Sequence, residues 1–174
     1  FKDVEVASQK VWQLPHWKKP KQGQPYSLLD EYRFACRFLK EGDVAVDAGA
    51  HIGNVSAALA LACGETGSVI SFEPNPVTFQ ILSMNAMING RNGKITPVPF
   101  ALWLEDKHDL TFDYGDHWLD NGGYHVGNFR HGSAYKVPVI GVNLQAFLAR
   151  QYKELVPKIK FVKLDCEGMD LELL

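Results

Sequence analysis

The chain has 174 residues, 46% hydrophobic and 22% charged, with a formal net charge of -2. That is enough for one domain with a substantial core and short for two, and the near-neutral balance gives no reason to expect nucleic acid as a partner. No apolar run reaches the roughly 20 residues of a membrane span. Phe1–Glu5 lacks the charged-then-apolar layout of a secretory leader, although a chain that does not start with Met could have lost one. Cys36, Cys63 and Cys166 are odd in number and far apart. Without a Cys-x-x-Cys or Cys/His spacing they read as buried free thiols in a reducing, cytoplasmic compartment, not as a zinc site.

Residues 1–26 carry Trp12, Trp17, three prolines and the basic cluster Lys18, Lys19 and Lys21, and read as an irregular arm. A solvated loop is the better account of so short a basic run than a nucleic-acid contact. Residues 27–174 then form one domain. Ser27–Lys40 has apolar residues near helical spacing at Leu28, Tyr32, Ala35, Phe38 and Leu39, and Gly42 ends that helix.

Val44–Asp47 is a short β-branched run suited to a strand buried on both faces. It breaks at Asp47, Gly49 and Gly53 and continues into an alanine- and leucine-rich helix, Val55–Cys63. Ser68–Glu73 is a second buried strand that also ends in an acid. Asn75 caps the next helix, with Pro76 at its first position, and the helix runs through Phe79, Leu82, Met84 and Met87 to Asn89. Ile95–Trp103 is a third strand whose prolines, Pro97 and Pro99, place it at an edge or shorten it. The order β-α-β-α-β predicts an α/β fold with a parallel sheet.

Residues 104–136 change character, with Asp109, Asp113, Asp116, Asp120, His108, His117, His125 and His131 among glycines and aromatics. They read as a loop or hairpin excursion over the carboxyl edge of the sheet. A polar loop accounts for them better than a metal site, because no pair has His-x-x-x-His spacing. Val137–Val142 is a strand, Asn143 caps a helix carrying Leu144, Phe147 and Leu148, and Ile159–Asp165 is a last strand ending in an acid. The chain stops at Leu174, barely into the next helix, so the sheet is expected to be incomplete at its C-terminal side.

Three strand ends therefore carry carboxylates: Asp47, Glu73 and Asp165. An acid at the end of the second strand suits a ribose, and Glu73 stands 20 residues past Gly53. Here Gly49-x-x-x-Gly53 replaces the Gly-x-Gly-x-x-Gly of a dinucleotide site, and Asp47 would repel a pyrophosphate but attract an ammonium or sulfonium group. The ligand that joins adenosine to a cationic amino-acid end is S-adenosylmethionine. Helix capping alone would explain one such acid, but two at successive strand ends favour a ligand site.

Val46-Asp47-Ala48-Gly49-Ala50-His51-Ile52-Gly53, Phe72-Glu73-Pro74-Asn75-Pro76 and Val162-Lys163-Leu164-Asp165-Cys166-Glu167-Gly168-Met169-Asp170 resemble the FkbM-type S-adenosylmethionine-dependent methyltransferases. The resemblance extends from Glu41 to the last residue and includes Phe100-Ala101-Leu102 and the Val-Pro-Val-Ile strand before Asn143, where that family usually has Asp. It implies a Rossmann-like class I methyltransferase fold with a mostly parallel sheet, lacking its last strands. It implies further that Asp47, Gly49, His51 and Gly53 line the methionine end of S-adenosyl-L-methionine. Glu73 would take the ribose, with Pro74 and Asn75 near the adenosine, and Asp165 and Glu167 would face the methyl group and the acceptor. The acceptor would be a hydroxyl on a small molecule or glycan, with Asp165 as first candidate for the base and no metal assigned. A nicotinamide-dependent oxidoreductase and a cofactor- or partner-binding domain without turnover are the rival readings.

Overall fold

The computed structural model describes residues 28–89, 94–114, 125–126, 135–166 and 170–173. The arm at 1–26, Glu167, and His117, Asp116, Asp120 and His131 of the excursion lie outside these residues. Helix α1 (Leu28–Ala35) is shorter than its apolar pattern, and Gly42, at φ +87°, closes the turn into β1 (Val44–Ala48). Then follow α2 (Asn54–Cys63), β2 (Ser68–Phe72), α3 (Pro76–Ile88) and β3 (Lys94–Val98).

The expected third strand is two strands. β3 pairs with β2 in a parallel sheet, whereas β4 (Ala101–Leu102) joins a second sheet beside β7 (Tyr135–Val142). The break falls at Pro99, which has no backbone N–H to donate, and at Phe100, whose ring packs on Phe147, centroids 5.6 Å apart. Within the excursion, β5 (Lys107–Tyr114) pairs antiparallel with both β7 and the short β6 (His125–Val126). Helix α4 (Leu144–Gln151), a 3-10 turn (Val156–Lys158) and β8 (Ile159–Leu164) complete the described elements.

β3, β2, β1 and β8 form, in that order, a wholly parallel sheet. Its two faces are covered separately. Ala45 and Val69 pack with Leu59 and Ala60 of α2 and Leu82 and Ala86 of α3. Val44, Val46, Ile70 and Phe72 pack with Phe147 and Leu148 of α4. β1 and β2 are buried along their whole length, which is why both read as unbroken apolar runs.

Helix α3 departs from a simple amphipathic reading. Met84 and Met87 face outward, and the buried stripe is Thr78, Ile81, Leu82, Asn85 and Ala86. Of the three free thiols, Cys63 is buried and Cys166 half-buried, but Cys36 is exposed because it lies past the end of α1, on the side away from Ala35 and Leu39. Among the described residues no helix is long and apolar enough to cross a membrane.

Candidate active site

The strand register brings the motif residues to one edge of the parallel sheet. Asp47 stands beside Ser71 of β2 and Lys163 of β8, and Ala48 beside Phe72 and Leu164. The ladder runs on past the strand ends. Ala50 N donates to Phe72 O at 2.9 Å, Glu73 N to Val98 O at 3.0 Å and Asp165 N to Ala48 O at 3.2 Å. Glu73, Asp165 and the turn after β1 therefore share the carboxyl edge, where an open α/β sheet binds its ligands.

The turn is built from left-handed residues. Gly49, His51 and Gly53 have φ of +70°, +52° and +90°. At Gly49 the need for glycine is also steric, since a Cβ there would lie 2.0 Å from the carbonyl oxygen of Asp165. His51 holds its left-handed conformation without that exemption, a strain the surrounding ties must over-determine.

Those ties come from three elements. Lys163 Nζ donates to the carbonyl oxygens of Gly49 at 2.9 Å and Ala48 at 3.2 Å. Glu73 Oε2 accepts from His51 N at 2.7 Å, and Asn85 Nδ2 on α3 donates to Ile52 O at 2.6 Å. Of the polar residues on the buried stripe of α3, Asn85 is thus explained by the turn it faces and Thr78 by Glu73, to which its hydroxyl donates. Asn75 caps the same helix, its Oδ1 accepting from Val77 N at 3.0 Å.

Asp47 lies beneath the turn and not in its lumen. Its side chain has no exposed surface; Oδ2 accepts from Ser56 Oγ at 2.6 Å and Oδ1 faces the Lys163 ammonium at 3.2 Å. Ser56 Oγ in turn accepts from Ser71 Oγ at 2.9 Å. Of the four residues expected to line the methionine end, Gly49, His51 and Gly53 form the turn and Asp47 supports it. Asp165 is different: its side chain is 64% exposed, with Oδ2 3.4 Å from Lys163 Nζ, so its carboxylate is open to a ligand.

Glu73 is buried. Oε1 accepts from Asn75 N and Thr78 Oγ1, both at 2.9 Å, and with His51 N these fill three of the roughly four acceptor positions of a carboxylate, leaving one on Oε2. Burial raises its pKa, the three donors oppose that, and the nearby Asp47 charge adds to it. Next to it the Nδ2 of Asn75, buried as well, has no hydrogen-bond partner among the described residues. Pro74 between them is half-buried.

His51 is held neutral, its pKa lowered to about 4 by burial and by the Lys163 charge, against a smaller opposing effect of Asp165. Burial also depresses Lys163, but Asp47 and Asp165 outweigh it and keep the ammonium charged. Burial pushes the Cys166 thiol up to about 12, which removes it as a nucleophile. Among the described residues no group of acids, histidines and cysteines is arranged to hold a metal.

Asn85, Ser56 and Thr78 carry no sign of their part in the sequence, and Lys163 stands in the family-like segment without a role assigned to it. Lys163 carried a usable sign: of the two lysines of β8 it is the one two residues before a strand-end acid, at the end of the strand where the motif residues gather.

Residues 47–174 match the profile of the methyltransferase FkbM domain. The chain is 30% identical over 145 residues to the hexuronic acid methyltransferase AglP of Haloferax volcanii, a match that covers 83% of this chain and 54% of that protein. The chain thus spans about half the length of that curated relative. A solved S-adenosylmethionine-dependent O-methyltransferase from Thermotoga maritima superposes on 45% of this chain and 30% of its own, at 28% identity and a TM-score of 0.39.

Proposed function

Because the chain belongs to the methyltransferase FkbM domain family, we propose that it is the cofactor-binding part of an enzyme that methylates a hydroxyl of a glycan or small molecule, with S-adenosylmethionine as donor. One observation carries the reading: a left-handed glycine turn, tied down at Ala48, Gly49, His51 and Ile52, lies at the carboxyl edge of a parallel sheet between two acids. A backbone fixed in that way costs no ordering when a ligand lies along it.

The residues present fit S-adenosylmethionine. Gly49 has no side chain to block approach, and the unpartnered Asn75 Nδ2 supplies a buried donor beside Glu73. The Oε2 of Glu73 retains capacity for one ribose hydroxyl, and the exposed Asp165 gives the edge the negative charge a sulfonium favours. A pyrophosphate would meet the same charge with the opposite sign.

When bound, S-adenosylmethionine supplies an electrophilic methyl group on a positive sulfur. The chain's own residues orient it and prepare the acceptor. Asp165 is the candidate to accept the hydroxyl proton as the oxygen attacks, since it is the exposed carboxylate of the site and Lys163 fixes its place. Glu167 is a second candidate by motif alone. Asp47 acts through Lys163 and the turn.

The test is transfer of label from S-adenosylmethionine by the longest natural form of the protein, with hexuronic-acid glycans among the acceptors, alongside calorimetry with S-adenosylmethionine and NAD. Labelled product and a micromolar dissociation constant for S-adenosylmethionine are expected. Tight NAD binding with no S-adenosylmethionine binding would overturn the reading.

A further inference from the structure

Among the described residues Lys163 is the one cation in contact with both Asp47 and Asp165, and its ammonium also holds two carbonyls of the turn. We propose that Lys163 is a positioning residue with two separable effects: it shapes the turn, and it sets how strongly the site prefers the cationic methyl donor over its neutral demethylated by-product. The proposal rests on the S-adenosylmethionine reading above and deepens it.

The argument is electrostatic. Among the described residues the charged or titratable groups around the turn are Asp47, Glu73, Asp165, Lys163 and His51, with Cys166 and Asp170 behind Asp165; His51 is neutral, and so is the Cys166 thiol. Donor and by-product have nearly the same shape but differ by one positive charge at sulfur. Contacts common to both cancel in the ratio of their dissociation constants, so that ratio reports the field at the sulfur. Lys163 cancels one carboxylate of that field. It holds the preference below what uncompensated acids would give, and so limits how tightly the donor is held relative to the by-product.

A charge introduced or removed a few ångströms from the ligand in a partly buried site should change the ratio by about three- to tenfold. Lys163→Gln keeps a donor near the turn carbonyls but removes the charge, and should raise the preference for S-adenosylmethionine over S-adenosylhomocysteine by that factor. Asp47→Asn preserves the shape and the place of the Ser56 bond and should lower it. The double variant restores the net charge, so the ratio should return to that of the parent while both affinities fall together through the loosened turn.

The experiment is calorimetric titration of the parent and the three variants with S-adenosylmethionine and S-adenosylhomocysteine, in low salt. Affinities that fall in every variant with an unchanged ratio would reduce Lys163 to a structural tie and overturn the proposal. Should Lys163→Gln not fold with Asp47 left buried and unpaired, the Asp47→Asn variant and the double variant decide alone: the ratio must drop in the first and recover in the second. A parent protein that binds neither compound would instead remove the cofactor assignment itself.

Discussion

The backbone N–H of His51 donates to Glu73 Oε2 at 2.7 Å, so the acid that ends β2 is also a fastening of the turn that follows β1. The same oxygen has one acceptor position left, which the proposed function gives to a ribose hydroxyl. On that reading ligand binding and turn geometry meet at one atom, and a change at Glu73 would reach both.

Replacing Glu73 with Ala removes the acceptor of three donors, two of them backbone N–H groups in a buried position. Each buried donor left unpaired costs about 1–3 kcal/mol, less where relaxation admits water. Glu73→Ala is expected to destabilise the fold by about 2–4 kcal/mol and to weaken S-adenosylmethionine by about 1–3 kcal/mol. Urea denaturation and calorimetry check the two separately. An unchanged dissociation constant in a folded variant would take Glu73 out of the site.

The raised pKa of Glu73 gives a second, signed expectation. Burial is its main cause, so the folded state binds the Glu73 proton more tightly than the unfolded chain does. Stability from this group is then greatest at low pH and declines as pH rises above the ordinary glutamate range, until the folded group has ionised as well. Glu73→Gln has no proton to lose. Its stability relative to the parent should increase with pH across that window, as read from urea midpoints between pH 4 and 8.

His51 acts in the opposite direction. Its folded pKa of about 4 lies below that of an unfolded histidine. The neutral form costs nothing above the unfolded value, but as pH falls the unfolded chain gains a proton that the folded one resists. The parent should lose up to about 3 kcal/mol of stability from this group between pH 6.5 and 4. His51→Asn tolerates the positive φ and should flatten that part of the profile. A parallel loss in parent and variant would show that other groups drive the acid transition.

The sequence pattern made the parallel sheet legible because β1 and β2 are covered on both faces and their composition says so. The strand-end acids and the glycine turn were legible because turn chemistry and charge are local. What links them was not. Lys163 reaches Asp47 across a strand pairing of residues 116 apart, and Asn85 reaches Ile52 from α3, with α2 and β2 between them in the chain. Spacing along the chain carries no record of such contacts. The division of Ile95–Trp103 between two sheets was likewise settled by Phe100 packing on Phe147, a tertiary contact that overrides a continuous apolar run. Asp47 was correctly placed at a strand end, but the side to which it faces depended on the Lys163 and Ser56 partners.

Asn143 stands where the resemblance to the family leads one to expect an aspartate. Its Oδ1 caps α4 through Ala146 N at 3.0 Å, and its Nδ2 donates to Leu104 O at 2.9 Å. Asn143→Ala should cost about 1 kcal/mol through loss of the cap. Asn143→Asp keeps the cap but gives up the Leu104 bond and sets a second carboxylate near Asp106, which already accepts from Asn143 N and pairs with Arg150 at 2.6 Å. Its stability should fall between those of the parent and the Ala variant, and approach the parent's as salt is added. Thermal midpoints at two ionic strengths provide the check.

Gly49 and Gly53 look equivalent in the motif but not in the fold. Both have positive φ, so an alanine at either pays about 1–2 kcal/mol for a left-handed conformation. The surroundings then separate them. At Gly53 the added methyl lies 2.7 Å from Leu82 Cδ1, the end of a side chain that can change rotamer. At Gly49 it lies 2.0 Å from Asp165 O and 2.9 Å from the carbon of the same carbonyl, and backbone held in a sheet ladder has nowhere to go. Gly49→Ala should therefore destabilise by more than about 3 kcal/mol and force the ends of β1 and β8 apart, whereas Gly53→Ala should cost about half as much. Denaturation of both variants gives the order, and hydrogen exchange at Asp165 N, which donates to Ala48 O, gives the location. Equal costs with unchanged protection at Asp165 would mean that the close approach of Gly49 to β8 is not a constraint on the fold.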